Sequence, residues 1–480
     1  MSLTFVFIDR EAELAELRRL ADRGQPALVL LYGRRRVGKT YLLEHAWEGR
    51  RVFYFLAADA TAALNRSELL RELSAWTGEA YPAADYPTWR TVFRAIAQLA
   101  DAGPIVVVLD EFQYLMGQED DVVSQLVAVW DREVRDRPLL LVLCGSEVGT
   151  LEGLQHGGQP LYGRPAWSAR LRPFDYFDAA RMAPNRPLRE AAYLYGILGG
   201  TPRYLAAIEP AEPLAEAIAR TVLSPRGEVY LQLSTIVEQE RGVRSPAEYR
   251  AVLVAIAGGA RTVNEIAQTA GLQERPYTAR HALDTLESLG LVRRDAIMDA
   301  REKAPIRYLL DDNAVGFWYR FVSPNRSRLE TGPAGPVWDA AVAPRLDDYM
   351  GRIFEQIVTE AFRRFHQRWG LPAAQRWARW EGVDRNRRSI EVDLIAELDD
   401  GSYLAGEVKW SSAPVGSDVH YLLERNLDDL ARSGQRWAHA ALDGPRLYAS
   451  AAGFTLGFYE LAAQHPDIHL RTLDDLYPNH

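Results

Sequence analysis

Three apolar runs in the first part of the chain are interrupted by nothing charged: Ala27-Leu28-Val29-Leu30-Leu31-Tyr32, Ile105-Val106-Val107-Val108-Leu109 and Leu139-Leu140-Leu141-Val142-Leu143. A strand with one wet face alternates apolar and polar residues, whereas an unbroken aliphatic run suits a parallel strand covered on both faces. Between the runs the spacing turns helical, with Leu14, Leu17 and Leu20 on one stripe and Tyr41-Leu42-Leu43-Glu44-His45-Ala46 after the first run. Phe5-Val6-Phe7-Ile8 and Arg51-Val52-Phe53-Tyr54-Phe55-Leu56 add further apolar segments. Strands alternating with helices over residues 1–182 predict an α/β domain, a parallel sheet with helices on both faces.

The pattern then changes. Residues 183–247 are helical in spacing, with Gly199-Gly200-Thr201-Pro202-Arg203-Tyr204-Leu205 in the middle, and read as a small helical lid. In 248–330, Val252, Leu253 and Ile256 mark a helix that ends at Gly258-Gly259. Thr262 followed by Glu265 is a capping box for a second, short helix. Gly271 makes a turn, Pro276 opens a third helix with Ala282, Leu283, Leu286 and Leu289 on one face, and Gly290 stops it. Arg293, Arg294, Arg301, Lys303 and Arg307 decorate the two strands that follow, so the segment has a winged helix-turn-helix pattern. Such a module either lays its third helix in a DNA major groove, with Arg275 and Arg280 near phosphates or bases, or packs against protein. Asp284 and Glu287 leave it nearly charge-balanced. Thr331-Gly332-Pro333-Ala334-Gly335-Pro336 is a breaker cluster, and 331–338 reads as a linker into a last domain, 339–480.

Chemistry enters where the first apolar run ends. Gly33-Arg34-Arg35-Arg36-Val37-Gly38-Lys39-Thr40 fits G-x-x-x-x-G-K-[ST], between a strand and the helix that Tyr41 begins. That placement aims backbone N–H groups and the positive end of a helix at a polyphosphate, while the glycines permit close backbone approach. Lys39 is then expected to reach the β- and γ-phosphates and Thr40 to ligate Mg²⁺. The second run closes on Asp110 and Glu111, at the edge where parallel sheets bind ligands. Asp110 is the expected magnesium partner and Glu111 the group that polarises the attacking water, which predicts hydrolysis of a nucleoside triphosphate. The third run ends in Cys144-Gly145-Ser146, where Ser146 is either a sensor of the γ-phosphate or a simple turn serine.

A second constellation lies near the C-terminus. Ile390-Glu391-Val392-Asp393-Leu394-Ile395-Ala396 alternates as a strand, Asp399-Asp400-Gly401 turns, and Tyr403-Leu404-Ala405-Gly406-Glu407-Val408-Lys409-Trp410 returns. Hairpin pairing brings Asp393 near Glu407, and the two-residue period puts Glu407 and Lys409 on one face. Glu355, on the helical segment Gly351–Val358, offers a further acid. Close carboxylates with a lysine can hold Mg²⁺ or Mn²⁺ and activate water against a phosphodiester; the plainer alternative is a hairpin salt bridge.

Composition narrows the class. The chain has 480 residues, 48% hydrophobic and 25% charged, which fits several ordinary globular domains. A net charge of −9 argues against a protein coated in nucleic acid but leaves room for one basic groove. The single cysteine, Cys144, excludes an internal disulfide framework and reads as core. No membrane-span-length apolar stretch and no signal-peptide layout are found, so a cytoplasmic protein without a membrane partner is expected.

Phe7-Ile8-Asp9-Arg10-Glu11, Gly33–Thr40, Leu109-Asp110-Glu111-Phe112-Gln113-Tyr114-Leu115, Cys144-Gly145-Ser146 and Gly199-Gly200-Thr201-Pro202 resemble, in that order, the archaeal-type ATPases of the STAND branch of the AAA+-related P-loop proteins. Phe317-Trp318-Tyr319-Arg320-Phe321-Val322 and Gly406–Lys409 are similar to their winged-helix and nuclease-like parts. The resemblance implies a P-loop NTPase sheet with helical lid, a winged helix-turn-helix domain and a C-terminal α/β domain like PD-(D/E)xK restriction endonucleases, mapping onto Glu355, Asp393, Glu407 and Lys409. It also implies ATP as the nucleotide, with the Ile8–Arg10 segment and Pro202 against the adenine. Arg164 and Arg170 are the candidates for a trans-acting arginine. Two functions follow as expectations: an ATP-driven enzyme that engages and cuts DNA, or a nucleotide-controlled signalling switch whose C-terminal domain binds a partner without cutting. A homo-oligomer is open in both.

Overall fold

A computed structural model describes residues 8–116, 121–239, 243, 245–298, 306–383 and 387–478. The expected strand at Phe5-Val6-Phe7 and the wing residues Arg301 and Lys303 lie outside the described residues. The chain is α/β and divides into two compact units, Met1–Pro173 and Phe174–His480.

The first unit is built on five parallel strands: β1 (Ala27–Tyr32), β2 (Val52–Leu56), β3 (Ile105–Asp110), β4 (Leu139–Gly145) and β5 (Trp167–Arg170), in the order β2-β3-β4-β1-β5. The unbroken apolar runs have the cause expected for them. Leu28, Leu30, Val107, Leu109, Leu141 and Leu143 enter one core cluster, while Val29, Leu31, Val106, Val108, Leu140 and Val142 enter the other. Each face of the sheet therefore has its own hydrophobic layer, and alternation in space leaves no alternation in sequence. Cys144 is wholly buried in the second layer, and burial, then the charge of Asp110, pushes its thiol well above the ordinary value.

In the second unit the helices Tyr176–Arg181, Leu188–Leu198, Pro202–Leu205, Leu214–Thr221 and Glu228–Leu233 come first. The Gly-Gly-Thr-Pro motif is a packing point there: Phe174 donates its N–H to the Gly200 carbonyl at 2.8 Å, and a Cβ on Gly200 would run into the Phe174 backbone. Three helices follow, Pro246–Ala257, Val263–Thr269 and Pro276–Ser288, with a two-stranded antiparallel sheet of β6 (Val292–Asp295) and β7 (Arg307–Leu310). The Thr262–Glu265 capping box forms as its spacing predicts. Beyond β6 the chain pairs with the C-terminal sheet: Arg379 donates its N–H to Ala296 and Met298 donates its own to Arg379, at 3.1 and 2.9 Å. The breaker cluster holds a turn, and a helical turn, Gly335–Val337, begins inside it on the way to the long helix Ala343–Phe365.

The C-terminal sheet is mixed. β8 (Ala374–Val383), β9 (Ser389–Leu398) and β10 (Tyr403–Lys409) are antiparallel neighbours, while β11 (Arg446–Ser450) and β12 (Ile468–Thr472) continue parallel from β10, giving the order β12-β11-β10-β9-β8. Among the described residues no helix is long and apolar enough to cross a membrane.

One carboxyl inside this unit stands out. Glu360, on the long helix, accepts hydrogen bonds from the Tyr195 hydroxyl at 3.0 Å, Gln356 Nε2 at 2.9 Å and the Tyr176 N–H at 3.1 Å. Burial outweighs these donors and raises its pKa from 4.5 to about 7. A folded-state pKa above the unfolded one means that the native state binds the extra proton, so stability falls as pH rises from 4.5 through 7. Glu360→Gln removes that loss. Thermal melts should show the variant gaining about 3–6 °C on the wild type between acid and mildly alkaline pH; a gap that does not change with pH would contradict this account of Glu360.

Candidate functional site

β1 delivers the glycine loop to the C-terminal edge of the first sheet, and the helix Lys39–Ala46 starts at once. Gly38 has φ +95°, a conformation that side chains resist. Gly33 lies so close to the Leu171 carbonyl that an added Cβ would strike it. Lys39, only 6% exposed, donates its ammonium to the carbonyls of Gly33 at 2.7 Å and Arg34 at 3.0 Å, so its charge is held over the loop. Arg34 and Val37 are buried, Arg36 sits in the left-handed region, and the exposed Arg35 donates to the Tyr114 hydroxyl at 2.8 Å. Tyr41 lies in the first helical turn with its ring against His45. Before the sheet, Ile8 is half-buried and Arg10 buried, its guanidinium bonded to the Arg172 carbonyl and ion-paired with Asp9 and Glu13. Pro202 opens a short helix of the second unit.

The acid strand β3 does not adjoin β1, since β4 runs between them. Their ends still meet: Thr40 Oγ1 is 3.4 Å from Asp110 Oδ2. Asp110 is 3% exposed and accepts two more bonds, from the Tyr54 hydroxyl and from the Glu111 N–H at 2.8 Å. Burial and then the Asp110 charge raise the Tyr54 hydroxyl far above its ordinary pKa, which keeps it a donor. Glu111 has φ +52°, and its carboxylate accepts from Ser146 Oγ at 2.6 Å and from Gln113 Nε2. A hydroxyl beside a desolvated carboxylate, with a lysine ammonium over a loop whose Gly33 has no room for a Cβ and whose Gly38 takes a positive φ, is a donor set that fits a triphosphate and Mg²⁺. Arg164 is paired with Asp131 at 2.8 Å, and Arg170 lies 4.0 Å from Glu152.

The second constellation also assembles. Antiparallel pairing of Gly406 with Leu394 sets Glu407 opposite Asp393. Lys409 Nζ lies 3.1 Å from Asp393 Oδ2 and 2.5 Å from Glu407 Oε2, and the Val408 N–H donates to Asp393 at 3.1 Å. Burial, then the Asp393 charge, pushes Glu407 up to about 8, against the pull of Lys409. Burial alone would lower the Lys409 ammonium, but Asp393 and Glu407 outweigh it and raise it. Glu355 is pushed up to about 7 by burial and then by Asp393, so it stands within reach of that charge. Among the described residues, however, no three His, Cys, Asp or Glu side chains converge as ligands to one metal ion. The arrangement offers a carboxylate pair, bridged by an ammonium.

Residues 7–208 match a family described as an ATPase domain predominantly from Archaea, and residues 318–420 match one of archaeal and bacterial proteins of unknown function. An uncharacterized ATP-binding protein of Methanocaldococcus jannaschii is 40% identical over 47 residues, covering 10% of this chain and 80% of that protein. The chain belongs to this archaeal-type ATPase family. A longer uncharacterized protein of the same organism is 25% identical over 414 residues, 84% of this chain and 88% of its own length. Among solved structures, the Walker-type ATPase of Pyrococcus abyssi is similar with a TM-score of 0.49 and 23% identity, over 65% of this chain and 96% of that one.

In this archaeal-type ATPase, three more side chains complete the first site, and of these only Tyr54 lies outside the motifs that carry the family resemblance. Tyr54 comes from β2 and Tyr114 from the turn after β3; Gln113, 3% exposed, bonds both Glu111 and, at 3.2 Å, Ser146. Gln113 holds the Glu111 carboxylate while its own Oε1 has no hydrogen bond among the described residues. Gln113→Ala should cut ATP turnover by about tenfold or more while changing nucleotide affinity less than about twofold. Equal losses in affinity and turnover would show that Gln113 only supports the fold.

Proposed function

We propose that this archaeal-type ATPase hydrolyses ATP in a magnesium-dependent way at the Lys39–Asp110 site and couples the nucleotide to engagement and cutting of DNA. Residues 1–182 serve as the ATPase core, 183–247 as a lid, 248–330 as a winged helix and, after the 331–338 linker, 339–480 as a nuclease-like domain. Lys39 and the loop N–H groups bind the phosphates, Thr40 and Asp110 hold the metal, and Glu111 takes a proton from water while Ser146 orients Glu111. Ile8 and Arg10 form the base-binding side of the core. When bound, magnesium supplies positive charge against the β- and γ-phosphate oxygens.

The observation that carries the cutting step is the meeting of Asp393, Glu407 and Lys409, with Nζ at 3.1 and 2.5 Å from the two acids. Asp393 and Glu407 would hold Mg²⁺ or Mn²⁺, which would supply an activated water when bound. Lys409 then turns its ammonium to the developing charge on phosphate.

A switch without cutting has its own support. Arg275 is paired with Glu248, Arg293 with Asp311 and Arg294 with Glu287, so much of the basic surface of the winged helix is neutralised within the chain. The segment after β6 is also committed to β8.

Supercoiled plasmid incubated with Mn²⁺ and ATP distinguishes the two. Wild type should nick it, Asp393→Ala should lose the nicking by at least about a hundredfold, and Glu111→Gln should bind ATP with little hydrolysis. Equal nicking by wild type and Asp393→Ala removes the cutting assignment. No nicking by wild type, with ATP-dependent change in assembly, favours the switch.

A further inference from the structure

Where the three-helix module, the β6–β7 sheet and the C-terminal sheet meet, the second unit contains a cavity of about 500 Å³. This is within the size range of small-ligand sites. Its charged lining is Arg261, Arg307 and Arg352 against Glu265, Asp295 and Glu381. The acids are already engaged. Glu265 accepts the N–H groups of Arg261 and Thr262, each at 2.9 Å. Glu381 holds Arg307 at 2.8 Å, and Asp295 faces the buried Arg379 at 4.0 Å. Arg379 stands just behind, with Nε and Nη1 lacking hydrogen-bond partners among the described residues.

Two cations remain. Arg261, half-buried, gives Nη1 to the Ile256 carbonyl at 3.0 Å and has no carboxylate partner among the described residues. Arg352, exposed on the long helix, has neither a hydrogen bond nor an ion pair among them. Burial, then the charge of Arg352, pulls the Arg261 guanidinium below its ordinary pKa, so the two repel. Like charges brought to one cavity cost stability unless an anion comes between them. Phosphate suits this place, because guanidinium forks match its oxygens and bind it with charge-assisted bonds. Arg352 is also one helical turn before Glu355, which ties the cavity to the acid pair.

We propose that this cavity binds a phosphate group between Arg261 and Arg352. In the molecule at work the group is a backbone phosphate of the strand presented to Asp393 and Glu407, and that part rests on the nuclease reading above. A free phosphate is the other source of the same chemistry.

The test uses the full chain, with Arg352→Gln and Arg261→Lys as variants whose melting curves are first compared with wild type. A fluorescein-labelled single-stranded oligonucleotide in EDTA is titrated at several salt concentrations and followed by anisotropy; sodium phosphate is titrated separately and followed by the shift in melting temperature. Arg352→Gln should weaken oligonucleotide binding by about tenfold and lower the salt slope by about one. Wild type and both variants binding the strand with one affinity and one slope would overturn the cavity assignment while leaving DNA binding elsewhere. If wild type binds no strand, the strand reading falls by itself, and phosphate decides the cavity: a melting shift in wild type that Arg352→Gln loses upholds a free-phosphate site, and no shift, or equal shifts, overturns it.

Discussion

Parallel pairing carries the ends of β1, β3 and β4 to one edge of the first sheet, and the meeting of Thr40 with Asp110, seventy residues apart, depends on it. Everything else at that edge serves to make a buried charge tolerable. A carboxylate taken out of water is costly unless donors replace the water. Asp110 obtains them from Tyr54, from Thr40 and from the Glu111 N–H. The same reasoning applies to Lys39, which satisfies its ammonium on two carbonyls of its own loop. A phosphate group entering the loop has to compete with those carbonyls, and it does so with full negative charge.

The C-terminal constellation uses pairing differently. There an antiparallel register sets two acids opposite each other, and a third residue on the same face supplies one ammonium for both. One cation between two largely buried carboxylates leaves an excess of negative charge, and burial together with the Asp393 charge raises the Glu407 carboxyl well above its ordinary value. A divalent ion would remove that excess more completely than a lysine can. This electrostatic imbalance distinguishes the hairpin from an ordinary surface salt bridge.

Much of this was legible along the chain because it is local. Unbroken apolar runs announced the covered sheet, Gly33–Thr40 carried its own geometry, and the period of two placed Glu407 and Lys409 on one face. The Thr262–Glu265 box forms within four residues and needed no tertiary information. What could not be read depends on distant partners. Tyr54 looks like an ordinary polar member of an apolar segment until the sheet brings it to Asp110, and nothing in the motif around Gln113 shows that its side chain joins Glu111 to the distant Ser146. The pairing of residues 296–298 with β8 joins segments some eighty residues apart and leaves no periodic trace. Within the breaker cluster, glycine and proline signal an end to helix, yet proline is also at home in a first helical turn, and Pro336 takes that place.

A double-mutant cycle measures directly whether Thr40 and Asp110 act on one magnesium ion. Mg-ATP affinity would be determined by calorimetry for wild type, Thr40→Ala, Asp110→Asn and the double variant. If both side chains serve one ion, the two losses overlap, with a coupling energy of at least about 1 kcal/mol, and the coupling disappears when ATP is titrated without magnesium. Losses that add to within about 0.5 kcal/mol in the presence of magnesium would contradict it.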